Sequence, residues 1–199
     1  PGYYQRLDAS GKVETSTCCD NTATEHRMMA RLMRDSVALW ARQYRIDSFR
    51  FDLMGHQPRA AMIEVQRAAD AAAGRHVPLL GEGWNFGEVA NGARFPQAAQ
   101  GMLNGTGIAS FSDRARDALR GGGCCDSGRG LFAQGLLNGL VYAPNAAARG
   151  KATRRDLLHA ADLVRAGLAG TLRDYRTTLA DGRVAPLSAL DYKGMEAGY

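Results

Sequence analysis

The stretch Asp47-Ser48-Phe49-Arg50-Phe51-Asp52-Leu53-Met54-Gly55-His56 decides how this chain is read, and Val77-Pro78-Leu79-Leu80-Gly81-Glu82-Gly83-Trp84-Asn85-Phe86 repeats its plan. Each opens as a short apolar strand, then sets one carboxylate where the strand gives way to a glycine-containing loop. From Ile46 to Leu53 the side chains alternate. Phe49, Phe51 and Leu53 fall on one side and are expected to pack outward on helices. Arg50 and Asp52 fall on the other and are expected to point into a barrel interior. Burying charges costs several kcal/mol unless they are paired, so an Arg and an Asp at a strand exit read as chemistry first and as an internal ion pair second. Between the two stretches, Pro58 suits the first turn of a helix and Gly74 its end, with Ala61, Met62, Val65, Ala68, Ala69 and Ala72 on the inner face. Strand, helix, strand with an acid at both strand exits is the layout of neighbouring units in a (β/α)8 barrel, whose chemistry sits at the C-terminal ends of the strands. The second strand is expected over Val77 to Gly81.

Working outward, residues 1–21 read as a loop with little periodicity. Thr22-Ala23-Thr24-Glu25 has the pattern of a capping box, and Met29, Leu32, Met33, Val37, Trp40 and Tyr44 recur at helical spacing, which predicts a helix over 23–43. Its Met and Trp positions read as core packing. Residues 87–106 form a long Gly- and Asn-rich loop. A third strand is expected over Ile108 to Ser112, followed by a helix from Asp113 to Arg120. Gly121-Gly122-Gly123 then breaks the chain, and with no Lys-Ser or Lys-Thr after it a phosphate-binding loop is excluded. A short helix is expected around 129–138 in an otherwise irregular stretch. Thr153 to Asp156 forms another cap, and Leu157, Ala161, Val164, Leu168 and Leu172 give an amphipathic helix weakened by Gly167 and Gly170. The tail from Leu179 is turn-rich.

Composition narrows the classes. The 199 residues carry a net charge of +5, mostly on arginine. Those arginines are scattered among acids rather than clustered with aromatics, so no nucleic-acid partner is expected. No stretch is long enough to span a membrane, and a signal region lying upstream is compatible with the chain. The cysteines form two adjacent pairs, Cys18-Cys19 and Cys124-Cys125. Neither pair has the spacing of a zinc site. Buried or free thiols are the favoured reading, with a bridge between the pairs as the other. No metal site is expected, since His26, His76 and His159 lack partner spacing and no carboxylate cluster forms a calcium loop. A complete barrel takes about 250 residues. With only three strands read as barrel strands, the fold class is α/β, as a partial (β/α)8 barrel, with residues 1–199 a segment of one domain.

The paired acids suit glycoside hydrolysis, in which one carboxylate attacks the anomeric carbon while another gives and then takes a proton, the two lying roughly 5–5.5 Å apart. Arg50, two residues before Asp52 on the same strand face, favours an ionised nucleophile there. Glu82 stands beside Trp84 with no cation next to it in sequence, a dry setting that suits a general acid; on this argument the two roles are exchangeable. Trp84 and Phe86 offer faces to sugar rings, or pack as a lid. His56 is a candidate substrate contact, or a packing residue.

At these residues the chain resembles the pullulanase and limit-dextrinase type debranching enzymes of the α-amylase superfamily (glycoside hydrolase family 13). The resemblance runs through Tyr3-Tyr4-Gln5-Arg6-Leu7, Ser16-Thr17-Cys18-Cys19, Asp47 to His56, Gly81-Glu82-Gly83-Trp84-Asn85-Phe86-Gly87-Glu88-Val89, Asp113-Arg114-Ala115-Arg116-Asp117 and the weaker Asp191-Tyr192. It implies Asp52 as nucleophile, Glu82 as acid/base, Arg50 holding the nucleophile and Trp84 along the glucan. Arg50, His56, Trp84, Asn85 and Phe86 are the candidate substrate contacts. The resemblance implies hydrolysis of α-1,6 bonds in pullulan and branched starch-type α-glucans, poly- or oligosaccharide, with retention. It implies no required cofactor, a structural calcium in a longer protein, and an extracellular or cell-surface site in many relatives. Oligomeric state is left open.

Departures matter as well. Ser48 stands where the family usually has Gly. None of the four histidines is followed by Asp, so the family's third carboxylate is not here, and neither is its earlier Asn-His motif. The chain thus reads as roughly the fourth to sixth βα units, with open edges and apolar helix faces, marginally stable and essentially inactive by itself. The alternatives are an isoamylase-like or transferring relative, against which Asn85-Phe86-Gly87-Glu88 argues, and a non-catalytic glucan-binding relative, against which the retention of both acids argues.

Overall fold

In the computed structural model, residues 1–123, 126–146, 152–169 and 176–186 are described. They fall into two units, Pro1–Phe111 and a second beginning at Ser112. In the first, helix α1 (Arg27–Gln43), strand β1 (Phe49–Phe51), helix α2 (Arg59–Ala73), strand β2 (Leu79–Gly81) and strand β3 (Ala109–Ser110) follow one another. The strands form one parallel sheet in the order β1-β2-β3. Phe49 pairs with Leu79, Arg50 with Leu80 and Phe51 with Gly81. Leu80 and Gly81 in turn pair with Ala109 and Ser110. The strands are shorter than expected, and the class observed is mixed α/β. Three parallel strands do not by themselves make a barrel.

The path from α2 into β2 shows local chemistry setting a boundary. Pro58 precedes the helix, and Gly74 ends it in the left-handed conformation, at φ 67°. Asp70 on the last turn accepts a hydrogen bond from Val77 N at 2.8 Å, and Gln66 donates to Val77 O at 2.8 Å. Two side chains thus satisfy the backbone where the strand begins. Beneath the sheet, Met54, Met62, Val65, Ala69, Val77, Leu79, Ala98, Leu103 and Ile108 form the core with Val37 of α1, and Phe49 and Phe51 pack against it. Ser48 donates its hydroxyl to Pro78 O at 2.9 Å, so the departure at that position adds a bond between β1 and the lead-in to β2.

The helix expected over 23–43 begins at Arg27, with no side-chain cap at His26. Thr22-Glu25 does not form a capping box, because the helix starts later and Glu25 is used elsewhere. Thr24 bonds the Gln57 side chain, and Glu25 is held by Arg6. The helical face is real but incompletely covered: Val37 and Ala41 are buried, while Leu32, Trp40 and Tyr44 are exposed. The Trp40 and Tyr44 rings lie 4.5 Å apart on that face. Residues 1–21 are more ordered than their aperiodic sequence implies, through the bridges Gln5–Thr22 and Leu7–Val13.

The second unit holds helices α3 (Asp113–Arg120) and α4 (Arg154–Ala169) and an antiparallel pair, β4 (Arg176–Thr178) and β5 (Val184–Pro186). Here the sequence-read cap forms. Thr153 Oγ1 lies 2.7 Å from Asp156 Oδ2, which also accepts Thr153 N at 2.6 Å. Gly167, expected to weaken α4, instead allows close approach: a methyl there would meet Ala115 N at 2.6 Å. The expected helix at 129–138 is a 3-10 turn over Gly128–Phe132. The hairpin was not expected in the turn-rich tail. Its turn closes through Leu179 N to Arg183 O, 2.8 Å, with Gly182 at φ 85°. Cys124, Cys125, Gly170, Leu172, Asp191 and Tyr192 lie outside the described residues, so readings placed on them are not addressed. No helix among the described residues is long and apolar enough to cross a membrane.

Candidate active site

Parallel pairing of β1 and β2 brings the two acids together. Asp52 and Glu82 each stand one residue beyond the paired Phe51 and Gly81. The ladder continues one step, with Glu82 N donating to Phe51 O at 3.1 Å and Gly55 N to Glu82 O at 2.8 Å. Leu53 then turns the chain sharply, in the left-handed region at φ 43°, and its amide donates to Glu82 Oε2 at 3.0 Å.

One guanidinium joins both carboxylates. Arg50 Nη1 donates to Asp52 Oδ1 at 2.6 Å and Nη2 contacts Glu82 Oε1 at 2.8 Å. The flat fork of arginine, with donors fixed in one plane, suits this task where lysine does not. The Phe111 ring lies 5.7 Å from the guanidinium carbon, a cation–π contact. The carboxylates thus lie within the span of one guanidinium and its two ion-pair contacts. They differ in setting: the Asp52 side chain is 75% exposed and Glu82 21%.

Two expectations need correcting. Arg50 and Asp52 are exposed to solvent in this structure rather than enclosed, so no large cost of burying charge is incurred. And Glu82 is not without a cation. Sequence neighbours suggested that Arg50 serves Asp52 alone, but β-pairing puts residue 82 as close to Arg50 as residue 52 is.

The segments after β1 and β2 carry the other candidates. Trp84 is half-buried. Its backbone lies so close to Gly55 that a methyl group there would meet Trp84 N and C at 2.9 Å. Asn85 is engaged by Asn91: its Nδ2 donates to Asn91 Oδ1 at 3.0 Å, and its Oδ1 accepts Asn91 N at 2.7 Å. Phe86 is buried, edge-on to His56 with ring centroids 4.4 Å apart. His56 is 3% exposed, and neither ring nitrogen has a hydrogen-bond partner among the described residues. Burial holds its imidazole below the ordinary value, opposed by the charge of Glu88 and assisted by that of Arg6. Direct contact of His56 and Phe86 with a sugar does not fit their burial here. Arg50, Asp52 and Glu82 are brought together, with Trp84 on the loop beyond.

Sequence reasoning missed what anchors this loop. Arg6 is 1% exposed. It donates to Glu25 at 2.7 and 2.9 Å, to Glu88 Oε1 at 2.8 Å and to His56 O at 2.9 Å. Glu88 also accepts from Asn21 Nδ2 at 2.9 Å and from Ser16. The N-terminal segment is thereby tied to both loops that leave the sheet. The only signal in the sequence was that Arg6 and Glu88 both lie in the stretches that carry the family resemblance.

Burial alone would push the Glu88 carboxyl up; the hydrogen bonds from Ser16, Arg6 and Asn21 outweigh it and hold the group at about 2. A depressed folded value stabilises the fold above the unfolded value of 4.5, and that stabilisation is lost as pH falls towards 2. The full swing is about 3 kcal/mol. Urea titrations between pH 5 and 2 are expected to show stability falling through this window, and Glu88→Gln is expected to flatten the fall.

Among the described residues no group of three or more His, Cys, Asp or Glu could hold a metal ion. No family model matches the chain. Among curated proteins, a pullulanase of Klebsiella pneumoniae is 43% identical over 201 aligned residues, covering 100% of this chain and 18% of its own length. A chloroplastic pullulanase of Arabidopsis thaliana is 43% identical over 192 residues, covering 92% of this chain and 20% of its own. Among solved structures, a Klebsiella pneumoniae pullulanase complexed with maltotriose superposes with a TM-score of 0.86 at 43% identity, covering 100% of this chain and 18% of that one. The chain therefore spans about a fifth of the length of the curated relatives it matches.

Proposed function

We propose, for a chain homologous to the pullulanases along its whole length, that Asp52 and Glu82 are the carboxylate pair of a debranching glycoside hydrolase. Its substrate is an α-glucan, and the bond cleaved is α-1,6. The observation that carries the proposal is the single Arg50 guanidinium holding both acids at adjacent strand ends. An ion pair built only to stabilise the sheet needs one acid; a second acid from the next strand makes a site with two oxygens facing one small volume.

In the retaining scheme, Asp52 attacks the anomeric carbon as Glu82 protonates the departing glycosidic oxygen. Glu82 then takes a proton from water, which displaces Asp52 and leaves the anomeric configuration retained. In this structure Glu82 accepts the Leu53 amide on one oxygen and is ion-paired to Arg50 through the other. To carry the proton it must release one of them, and the contact to Arg50 is the one a substrate can displace. Arg50 keeps its bond to Asp52 through that exchange and so aims the nucleophile.

β1, β2 and β3 are read as consecutive strands of a (β/α)8 barrel. Support comes from the open side of β1, where a groove of about 390 Å³ is lined by Ser36, Val37, Trp40, Ile46, Phe49, Arg50 and Phe51. Apolar residues of α1 stay exposed beside it, as they would if a further βα unit of a longer protein covered them.

The test is a transplant. This segment, replacing its counterpart in the Klebsiella pneumoniae pullulanase, is expected to give an enzyme that releases reducing sugar from pullulan, while the 199-residue chain alone shows essentially none. A folded but inactive chimera counts against the proposal. Within the active chimera, Arg50→Lys is expected to lower kcat/KM about 100-fold, some 2.7 kcal/mol, since an ammonium cannot hold both acids in one plane. A loss under threefold contradicts the bridging role.

A further inference from the structure

Cys18 and Cys19 are exposed and unbridged, and their sulfurs lie 3.2 Å apart. That is inside ordinary sulfur–sulfur contact, yet well beyond the roughly 2.05 Å of a disulfide. Adjacent residues do not bring their thiols together by default, because successive side chains of an extended segment point to opposite sides. Here the local backbone does so. The Thr17 hydroxyl accepts Cys19 N at 3.3 Å and lies 2.9 Å from Cys19 O, which folds the segment back on itself.

We propose that Cys18 and Cys19 form a vicinal dithiol that reacts as one unit with low-molecular-weight disulfides. The first thiolate attacks one sulfur of the incoming disulfide, whose S–S bond breaks and releases one small thiol after protonation. The second cysteine gives its proton to solvent and attacks the sulfur now bound to the first. The Cys18–Cys19 bond forms, and the second small thiol leaves. Two protein thiols are oxidised and one external disulfide is reduced to two thiols, so protons and electrons balance. The hydrogen bond between the sulfurs raises the Cys19 thiol, with the charge of Cys18 adding to it, and the sulfur that has lost its proton at a given moment is the one that attacks. A ring between adjacent residues is strained, so the bridge is readily reduced again.

The pair is wired to the loop beyond Glu82. Thr17 Oγ1 lies 2.6 Å from Asn21 Oδ1, and Asn21 Nδ2 donates to both Ser16 Oγ and Glu88 Oε1 at 2.9 Å. Closing the ring turns the Cys18–Cys19 peptide away from Thr17 and loosens that run.

The test uses the whole chain with Cys124→Ser and Cys125→Ser, treated with oxidised glutathione and followed by intact mass and peptide mapping. The expected product lacks two hydrogens on the Cys18–Cys19 peptide and retains no glutathione, whereas Cys19→Ser traps one glutathione on Cys18. Closure is expected to be about tenfold faster in buffer than in guanidinium, the advantage of holding the sulfurs in place, and to speed amide exchange at Glu88 and Val89. Lasting glutathione on the intact pair, equal closure rates in both solvents, or unchanged exchange would overturn the proposal. So would a bridge from either of these cysteines to Cys124 or Cys125 in the unsubstituted chain.

Discussion

Asp52→Asn, in a Klebsiella pneumoniae pullulanase carrying this segment in place of its own, is expected to lower kcat on pullulan by on the order of 10⁴-fold, about 5.5 kcal/mol of barrier. The amide keeps the shape and a hydrogen bond to Arg50 but cannot form the covalent glycosyl intermediate. Glu82→Gln is expected to cost a comparable factor on pullulan, with a different signature. A substrate whose leaving group needs no proton, such as an aryl glucoside with an acidic phenol, is expected to recover much of the first step in Glu82→Gln and none in Asp52→Asn. That contrast separates the two acids, which sequence neighbours could not do. Recovery in Asp52→Asn instead would reverse the assignment, and near-native kcat in either variant would remove that residue from the mechanism.

The second large effect is on stability. Removing the Arg6 side chain, as in Arg6→Ala, leaves Glu25 and Glu88 facing each other and the His56 carbonyl without its donor. Stripping one partner from a buried charge network costs about 3–5 kcal/mol, because the remaining charges stay desolvated and uncompensated. The loss is expected to appear in chemical denaturation of the chimera. Arg6→Ala combined with Glu88→Gln is expected to lose less than Arg6→Ala alone, since one orphaned charge is gone. A loss below about 1 kcal/mol for Arg6→Ala would mean that the network is decoration on an already rigid loop. Because Glu88 lies six residues beyond Glu82 on the loop that carries Trp84, Arg6→Ala is also expected to raise KM for long glucans at temperatures where the protein remains folded.

What could be read from the sequence depended on how local the deciding physics was. Helix α2 was legible because Pro58 and Gly74 act through their own backbone preferences and the small-residue face between them keeps one period. The sheet was legible because two apolar runs share a plan. Strand lengths were not, since pairing ends where Leu53 turns the chain and where Asp70 and Gln66 capture Val77. The two capping patterns show the same division. Thr153 and Asp156 cap a helix as local chemistry suggests. Thr22-Glu25 likewise sets an acid three residues after a threonine, but Arg6, far off in sequence and buried, takes Glu25 away.

The candidate site divides along the same line. Asp52 and Glu82 were singled out from strand-end positions alone, and pairing of β1 with β2 puts them side by side. That Arg50 serves both, that Asn85 is engaged by Asn91, and that His56 lies buried against Phe86 all depend on pairing register or on loops folding back. Gly55 and Gly83 stand in the segments that follow β1 and β2. Their reason is close packing: a methyl on Gly55 meets the Trp84 backbone, and one on Gly83 meets Gln100 N at 2.8 Å. Ser48, which looked like a mild departure, gained a bond to Pro78 O that no neighbour in sequence announced.

The most direct test of the two-acid site is covalent trapping. The active chimera is incubated with a fluorinated α-glucosyl substrate whose intermediate hydrolyses slowly, then digested and mapped by mass spectrometry. The sugar is expected on Asp52, with Glu82→Gln slowing its removal. A label on Glu82 or on any residue outside the Asp52 peptide, or turnover with inverted configuration and no label, would contradict the account.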